Sequence, residues 1–507
     1  MPTDLALPLE YSYLALPEAF YTLVAPTPVV KPALAVFNAT LATELGLDFA
    51  GSTEDALANL FSGTRLPPNA RPFAQAYAGH QFGGFTMLGD GRAHVLGEHI
   101  TPHGERVDLQ LKGSGQTPYS RRGDGRAVLG PMLREYLISE AMAALGIPTT
   151  RALAVVSTGE SVYREQPEQG AVLTRVAASH LRVGTFEYAA AHRDRALLEA
   201  LIDYTLARHF PPLVRADNKA LALLDAVLHK QADLVVHWMR VGFVHGVMNT
   251  DNMALSGETI DYGPCAFMDQ YDPATCFSSI DVNRRYAYAN QPAIALWNLT
   301  RFAEALLPAI DEDEMRAVAM AEETLKTYSH LYRDKWLAMM RAKLGLFGEE
   351  AGDEPLIDRL LSWMKDNNAD YTNTFRGLRL IVPSTQIAPP VNAGPASQDA
   401  PSPAFTCGAN FDDDTFRAWH NDWQARRERQ DEPLEASDQL MQQTNPAVIP
   451  RNHKVEQALA AATAGDIQPF DALLSALQSP YEEREALAPY QSPAPPGSCK
   501  YQTYCGT

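Results

Sequence analysis

The stretch HGVMNTDNMALSGETIDYGP at residues 245–264 holds the side chains best suited to chemistry. Asn252 and Asp261 are hard oxygen ligands of the kind that hold Mg²⁺ or Mn²⁺ together with substrate phosphates, rather than zinc. Asp251 is the only acid between His245 and Asn252, and beside a metal it could deprotonate an acceptor hydroxyl. Taken singly, Asn252 and Asp261 read as turn residues and Asp251 as an Asx-turn residue. Their occurrence together in one HGxxxTDN…IDYGP frame shifts the reading to metal binding.

The same frame invites comparison with the catalytic and metal loops of a protein kinase, where the second residue after the His is an Asp that takes the substrate proton. Here that place is held by Val247, which accepts no proton. Candidate phosphate cations lie upstream. Lys112 closes the pattern RVDLQLK, in which Val107, Leu109 and Leu111 alternate with polar neighbours as in a half-buried strand. Glu135 flanks the apolar stripe of the following segment and is the natural carboxylate partner for that lysine; alone, each residue reads as a solvated charge.

The pentapeptide GDGRA occurs twice, at residues 89–93 and 123–127. Glycines such as Gly89, Gly91 and Gly125 let backbone amides approach phosphate oxygens, while Asp124 sits within the second turn and Arg92 offers bidentate bonds. The second copy precedes a helical pattern, whose N-terminus favours an anion. Arg175 in LTRVA and Arg182 in HLRVG add two further cations.

Positioning these groups requires strands first and helices afterwards, which predicts an α+β fold of two lobes. Strand patterns fall on FTML, AHVLGEHI, RVDLQLK, ALAVVST and GAVLTRVA, and VLGPMLREYLISEAMAALG reads as a helix stopped by Gly146 and Pro148. Further helices are expected over ALLEALIDYTLARHF and LALLDAVLHKQADLVVHWMRVG. Leu34, Phe37, Leu41 and Leu45 predict a helix from Ala33 to Leu45. The expected divisions are an N-terminal extension packing on the core (1–82), a nucleotide-binding region (83–182), a catalytic and metal region (183–345), a mainly helical region (346–490) and a Cys-containing tail (491–507). Residues 385–404, rich in Pro, Ala and Ser, read as a linker or surface loop.

A chain of 507 residues is too long for one ordinary core. Its formal net charge of −19 argues against broad nucleic-acid or anionic-membrane binding. No run approaches the roughly 20 apolar residues of a membrane span, and no Lys or Arg precedes Lys31, so a cytoplasmic location is expected. The five cysteines, Cys265, Cys276, Cys407, Cys499 and Cys505, lack both zinc-site spacing and the density of a disulfide scaffold.

The motifs YAGHQFGGF, LGDGRA, QLKGSGQTPYSRRGDGRAVLGPMLREYLISEAMAALG, GAVLTRVAASHLRVGTFE and HGVMNTDNMALSGETIDYGPCAFMD resemble the selenoprotein O (YdiU) family. That resemblance implies a protein-kinase-like fold that binds ATP in a flipped orientation and transfers AMP, not phosphate, to Ser, Thr or Tyr hydroxyls of proteins. By the same resemblance Lys112 and Glu135 form the phosphate-binding pair, and Gly89, Gly91, Arg92, Asp124, Gly125, Arg175, Arg182 and Asp261 take nucleotide-binding places. Asp251 becomes the proton acceptor, and Asn252 with Asp261 the Mg²⁺ ligands. Some members are reported to use UTP with Mn²⁺. The resemblance also implies a redox disulfide between Cys505, third from the end, and Cys276, with Cys265 and Cys499 as competing partners. A conventional phosphotransferase and a noncatalytic, redox-sensing pseudokinase are the other readings; Val247 counts against the first, and the retained Lys112, Asp251, Asn252 and Asp261 against the second.

Overall fold

The computed structural model describes residues 7–379, 411, 413–495 and 501–503. Its architecture is α+β. In chain order the first strands are β1 (Tyr21–Leu23), β2 (Ala33–Phe37), β3 (Phe73–Gln75), β4 (Ala78–Gln81), β5 (Gly84–Met87), β6 (Ala93–Ile100), β7 (Arg106–Lys112), β8 (Ala127–Val128), β9 (Arg151–Tyr163) and β10 (Pro167–Ala177). One sheet takes the order β1-β3-β6-β7-β10-β9-β2, with β8 beside β10, while β4 and β5 form a separate hairpin.

Alternation along β7 decides where its lysine goes. Leu109 and Leu111 enter an apolar cluster with Leu153, Val156 and Val172 on one face, so Gln110 and Lys112 occupy the other. The Leu129–Ala144 helix lies across β9 and β10. It buries Met132, Leu133, Tyr136, Leu137 and Ala141 and ends before Gly146, whose φ of +71° suits only a residue tolerant of the left-handed region. Behind this helix pack two from the C-terminal region, Asn452–Thr463 and Gln468–Leu477.

One expected element is corrected. Ala33–Leu45 is not a continuous helix: Ala33–Phe37 is β2, pairing with β9 through Leu34 and Val156, and only Ala39–Glu44 is helical. The apolar spacing fits both structures, but Asn38 breaks them apart, because its side chain accepts the Leu41 N–H at 3.0 Å and caps the short helix. Residues before Gly83 therefore do more than cover the sheet, since β1, β2 and β3 are strands of it.

After Arg182 the chain is mostly helical. The Lys219–Val241 helix starts at Asn218, whose side chain accepts the Leu221 N–H, and stops at Gly242 in a left-handed conformation. That turn launches β11 (Phe243–Val244), which pairs antiparallel with β12 (Ala266–Phe267). Their pairing closes residues 245–265 into a loop carrying Asp251, Asn252 and Asp261. Helices also occur between 353 and 477 among the described residues. The Pro-rich segment 385–404 and Cys407, Cys499 and Cys505 lie outside the described residues. Among the described residues, no helix is long and apolar enough to cross a membrane.

Candidate active site

Lys112, at the end of β7, donates to Glu135 Oε2 at 2.7 Å and also to Asp261 Oδ1. Arg175, on the neighbouring β10, donates through Nε to Glu135 Oε1 at 2.9 Å and stands 3.7 Å from Asp261. Sheet, helix and loop thus converge on two cations and two carboxylates. Such a balanced set answers the cost of taking charges out of water. Burial pushes the Glu135 carboxyl up, but Arg175 and Lys112 outweigh it and leave it below its ordinary value. Asp261 is treated likewise: burial raises it, and Lys112 and Arg175 hold it well below the usual carboxylate range. Its φ of +70° aims this carboxylate from a left-handed turn.

Asp251 lies in a short turn, Thr250–Asn252. It is buried, yet its Oδ1 finds no hydrogen-bond partner among the described residues. Burial lifts its pKa to about 6, against the pull of Arg182 and with a further push from Asp261. Two neighbours are built to fit it. Gly79 on β4 approaches so closely that a Cβ there would stand 2.5 Å from Asp251 Oδ1. Arg182 donates to the Asp251 carbonyl oxygen at 3.0 Å and lies over the Tyr77 ring at 4.4 Å. Asn252 uses its amide N–H to bind the Val247 carbonyl at 3.1 Å, so its side-chain oxygen, an acceptor, is the atom it could offer as a ligand.

Asp251, Asn252 and Asp261 open onto a cavity of about 760 Å³ that Arg92 and both GDGRA turns also line, while Lys112 and Glu135 line a second cavity of about 510 Å³ that shares Arg92 and Asp261 with it. The glycines have a steric reason. A Cβ on Gly89 would meet the Tyr119 ring at 2.4 Å, and one on Gly125, at φ +70°, would meet Gly115 at 2.2 Å. Asp124 is half-exposed; it bonds the Arg126 N–H at 3.0 Å and pairs with Arg164 at 2.8 Å. Arg175 and Arg182 do not line this cavity but sit buried behind it. No cluster of three or more His, Cys, Asp or Glu side chains suited to a metal occurs among the described residues. One carboxylate and one amide oxygen fit a small hard cation that keeps waters and phosphates as its other ligands.

The sequence model of a family described as "Protein adenylyltransferase SelO" matches residues 4–478. The chain belongs to the SelO family. A relative from Nitrosococcus oceani is 55% identical over 505 residues, covering 99% of this chain and 98% of its own. Another from Syntrophotalea carbinolica is 56% identical over 499 residues, with 98% and 97% covered. A third, from Alcanivorax borkumensis, is 54% identical over 508 residues, with both chains covered in full. All three are named "Protein nucleotidyltransferase YdiU". The family resemblance carried by the GDGRA, HGVMNTDN and IDYGP motifs is borne out.

In this SelO-family chain the structure adds residues that spacing alone did not single out. Arg121 and Arg122 line the cavity and form no ion pair among the described residues. Their place in SRRGDGRA, beside a phosphate-type turn, was the available signal. His80 bonds Glu187 through Nδ1, its backbone N–H donates to Thr250 Oγ1 at 2.6 Å, and Thr250 Oγ1 in turn donates to Glu187 at 2.6 Å. That closed set ties β4 to the Asp251 turn, and no sequence spacing announces it because its members lie far apart in the chain.

Proposed function

We propose that the chain transfers AMP from ATP to Ser, Thr or Tyr hydroxyls of proteins, on a protein-kinase-like scaffold whose lobes are residues 83–182, with β1, β2 and β3 added to their sheet, and residues 183–345. The observation that carries this reading is the unpartnered Oδ1 of Asp251 in the same cavity as Asn252 and Asp261. Asp251 accepts the acceptor's proton as its oxygen attacks the α-phosphorus; the bond from that phosphorus to the bridging oxygen breaks, and pyrophosphate leaves with the electron pair. Asn252 and Asp261 hold Mg²⁺ or Mn²⁺. When bound, the metal supplies charge neutralisation on the phosphates. Lys112 and Arg92 bind phosphate oxygens, the Gly89, Gly91 and Gly125 turns let amides approach them, and Asp124 steadies the second turn. Arg175 and Arg182 add positive potential beneath the site and fix Glu135 and the Asp251 turn. Val247 is then no defect, since the base sits at Asp251. UTP with Mn²⁺ is a second nucleotide to be tried.

Intact-protein mass spectrometry after incubation with ATP and Mg²⁺ or Mn²⁺ tests this. An added AMP mass is expected; an added phosphate mass would favour a phosphotransferase, and binding without transfer a noncatalytic scaffold. Asp251→Asn is expected to slow transfer by about 10²-fold, the usual contribution of a positioned general base, with nucleotide affinity kept. A loss under threefold would remove Asp251 from this role.

The tail supports a regulatory reading. Thr503 runs parallel to residues 277–279: its N–H donates to the Phe277 carbonyl, and its own carbonyl accepts the Ser279 N–H, both at 2.9 Å. Cys276 precedes that pairing directly, and Cys505 follows two residues after Thr503, outside the described residues. Burial, with Asp281 beside it, pushes the Cys276 thiol up to about 11, which makes it a poor nucleophile, and a bridge to Cys505 would form by thiol–disulfide exchange with an added disulfide, which takes up the two electrons and leaves as two thiols. Cys265 is fully buried, and burial pushes it up to about 12. Cys276→Ser is expected to abolish any difference in transfer rate between oxidised and dithiothreitol-treated protein; an undiminished difference would rule out the Cys276–Cys505 bridge.

A further inference from the structure

Asp251 is buried, so an acceptor hydroxyl reaches it only if something guides a protein segment into the cavity. The β4–β5 hairpin stands at that entrance. Its two turn residues, Phe82 and Gly83, both have positive φ, +50° and +90°, and Gln81 pairs with Gly84 across them. This is the two-residue hairpin turn that Asn-Gly fills easily and a bulky aromatic does not. The structure nonetheless holds Phe82 there: its N–H donates to Asn249 Oδ1 at 3.1 Å, Tyr286 donates to the same oxygen at 2.7 Å, and the Phe82 and Tyr286 rings lie 5.3 Å apart. A strained residue so firmly held at a cavity mouth points to a use for its side chain.

That residue is 41% exposed, and further apolar residues are exposed on β5, Phe85 at 48% and Met87 at 46%, and on the segment that brings Ile280 to the same cavity, Ile280 at 49% and Val282 at 86%. Phe82 and Ile280 border the same cavity as Asp251 and Val247. Phe85 continues the surface through His80, 5.4 Å away, to Trp297, 5.5 Å further. The outer edge of β5 pairs with no other strand among the described residues, so it can lie beside an extended chain.

We propose that the β4–β5 hairpin tip and residues 280–282 dock the acceptor protein, which presents its hydroxyl on an extended segment with apolar residues on both sides. This rests on the adenylyl-transfer reading. An extended segment is required because Asp251 is recessed, and apolar flanks are favoured because Phe82, Phe85, Ile280 and Val282 present exposed apolar area, with Arg121 and Arg122 of the same cavity left to the nucleotide.

The test uses the full chain and two synthetic peptides with one acceptor Tyr, flanked by Leu and Ile in one and by Gln and Asn in the other. Transfer of AMP is followed by mass spectrometry and nucleotide binding by a fluorescent ATP analogue. Wild-type protein is expected to favour the apolar peptide about tenfold in kcat/KM, the effect of partly burying one or two aliphatic side chains. Phe82→Asn, which suits the turn and so keeps the hairpin, and Val282→Asp are each expected to reduce that preference to about twofold through a higher peptide KM. Nucleotide affinity in Val282→Asp is expected to match wild type. Equal use of the two peptides overturns the docking surface, as does a preference that survives both substitutions. Labelling of folded proteins but of neither peptide overturns the extended-segment occupant. A protein that binds nucleotide and labels nothing overturns adenylyl transfer itself.

Discussion

Asp261→Asn is expected to reduce AMP transfer by about 10³-fold or more at saturating ATP, while leaving the fold intact. The change removes a carboxylate from a hard-metal site, and metal stabilisation of transition-state charge is worth several kcal/mol, each ~1.4 kcal/mol being tenfold in rate. Asparagine is the informative replacement. It tolerates the left-handed φ of +70° at this position better than most residues, so backbone strain does not confuse the result. It also frees Lys112 and Arg175 from one of their two carboxylate partners, leaving Glu135. Metal-free nucleotide should consequently bind as well as to wild type or better, because the local field becomes more positive. Preserved or tighter binding with transfer lost would place the effect on the chemical step. A variant retaining more than a tenth of wild-type activity would show that Asp261 is not a metal ligand.

How much of this site could be read in the sequence depends on the distance over which each signal acts. Lys112 was legible because strand alternation assigns its face, and Glu135 because it borders a helical stripe; the structure joins them at 2.7 Å. Asp251, Asn252 and Asp261 were legible because one closed loop carries all three. Arg175 and Arg182 illustrate the limit. Their charge suggests phosphate and does not announce the partners the structure gives them, Glu135 for Arg175 and the carbonyl of Asp251 for Arg182, which only tertiary packing brings near. The Ala33–Leu45 segment failed for a related reason: a strand paired to β9 and a helix share the same apolar spacing there, and pairing with a distant strand decided between them. Phe82 gives no local warning either, since its unusual backbone follows from Asn249 and Tyr286.

The C-terminal helices show the longest-range dependence of all, and Arg451→Met measures it. Arg451 is fully buried at the start of the Asn452–Thr463 helix. It donates to both oxygens of Asp370 at 2.7 and 3.0 Å, to Asp269 at 2.7 Å and to the Gln491 carbonyl at 2.9 Å. Asp269 follows β12, the strand that closes the Asp251 and Asp261 loop. Burial raises the Asp370 carboxyl, and Arg451 opposes that rise. Methionine keeps the bulk and removes the charge, leaving two acids together with no cation between them. Breaking a buried pair from one side costs about 3–5 kcal/mol, read as a lower urea midpoint. The sign of the pH dependence identifies the cause. Without Arg451 the folded pKa of Asp370 lies above its unfolded value, so the penalty is absent below the unfolded value and grows as pH rises towards the folded one; the variant should regain stability on acidification. Asp370→Asn added to Arg451→Met should restore part of the loss, because Asn still accepts the Asn373 N–H that caps the Tyr371–Leu378 helix. A pH-independent loss, unrelieved by Asp370→Asn, would mean that Arg451 contributes packing and not charge. The helix that Arg451 anchors packs against Leu129–Ala144, the carrier of Glu135, so Arg451 fixes the loop from one side and the lysine's partner from the other.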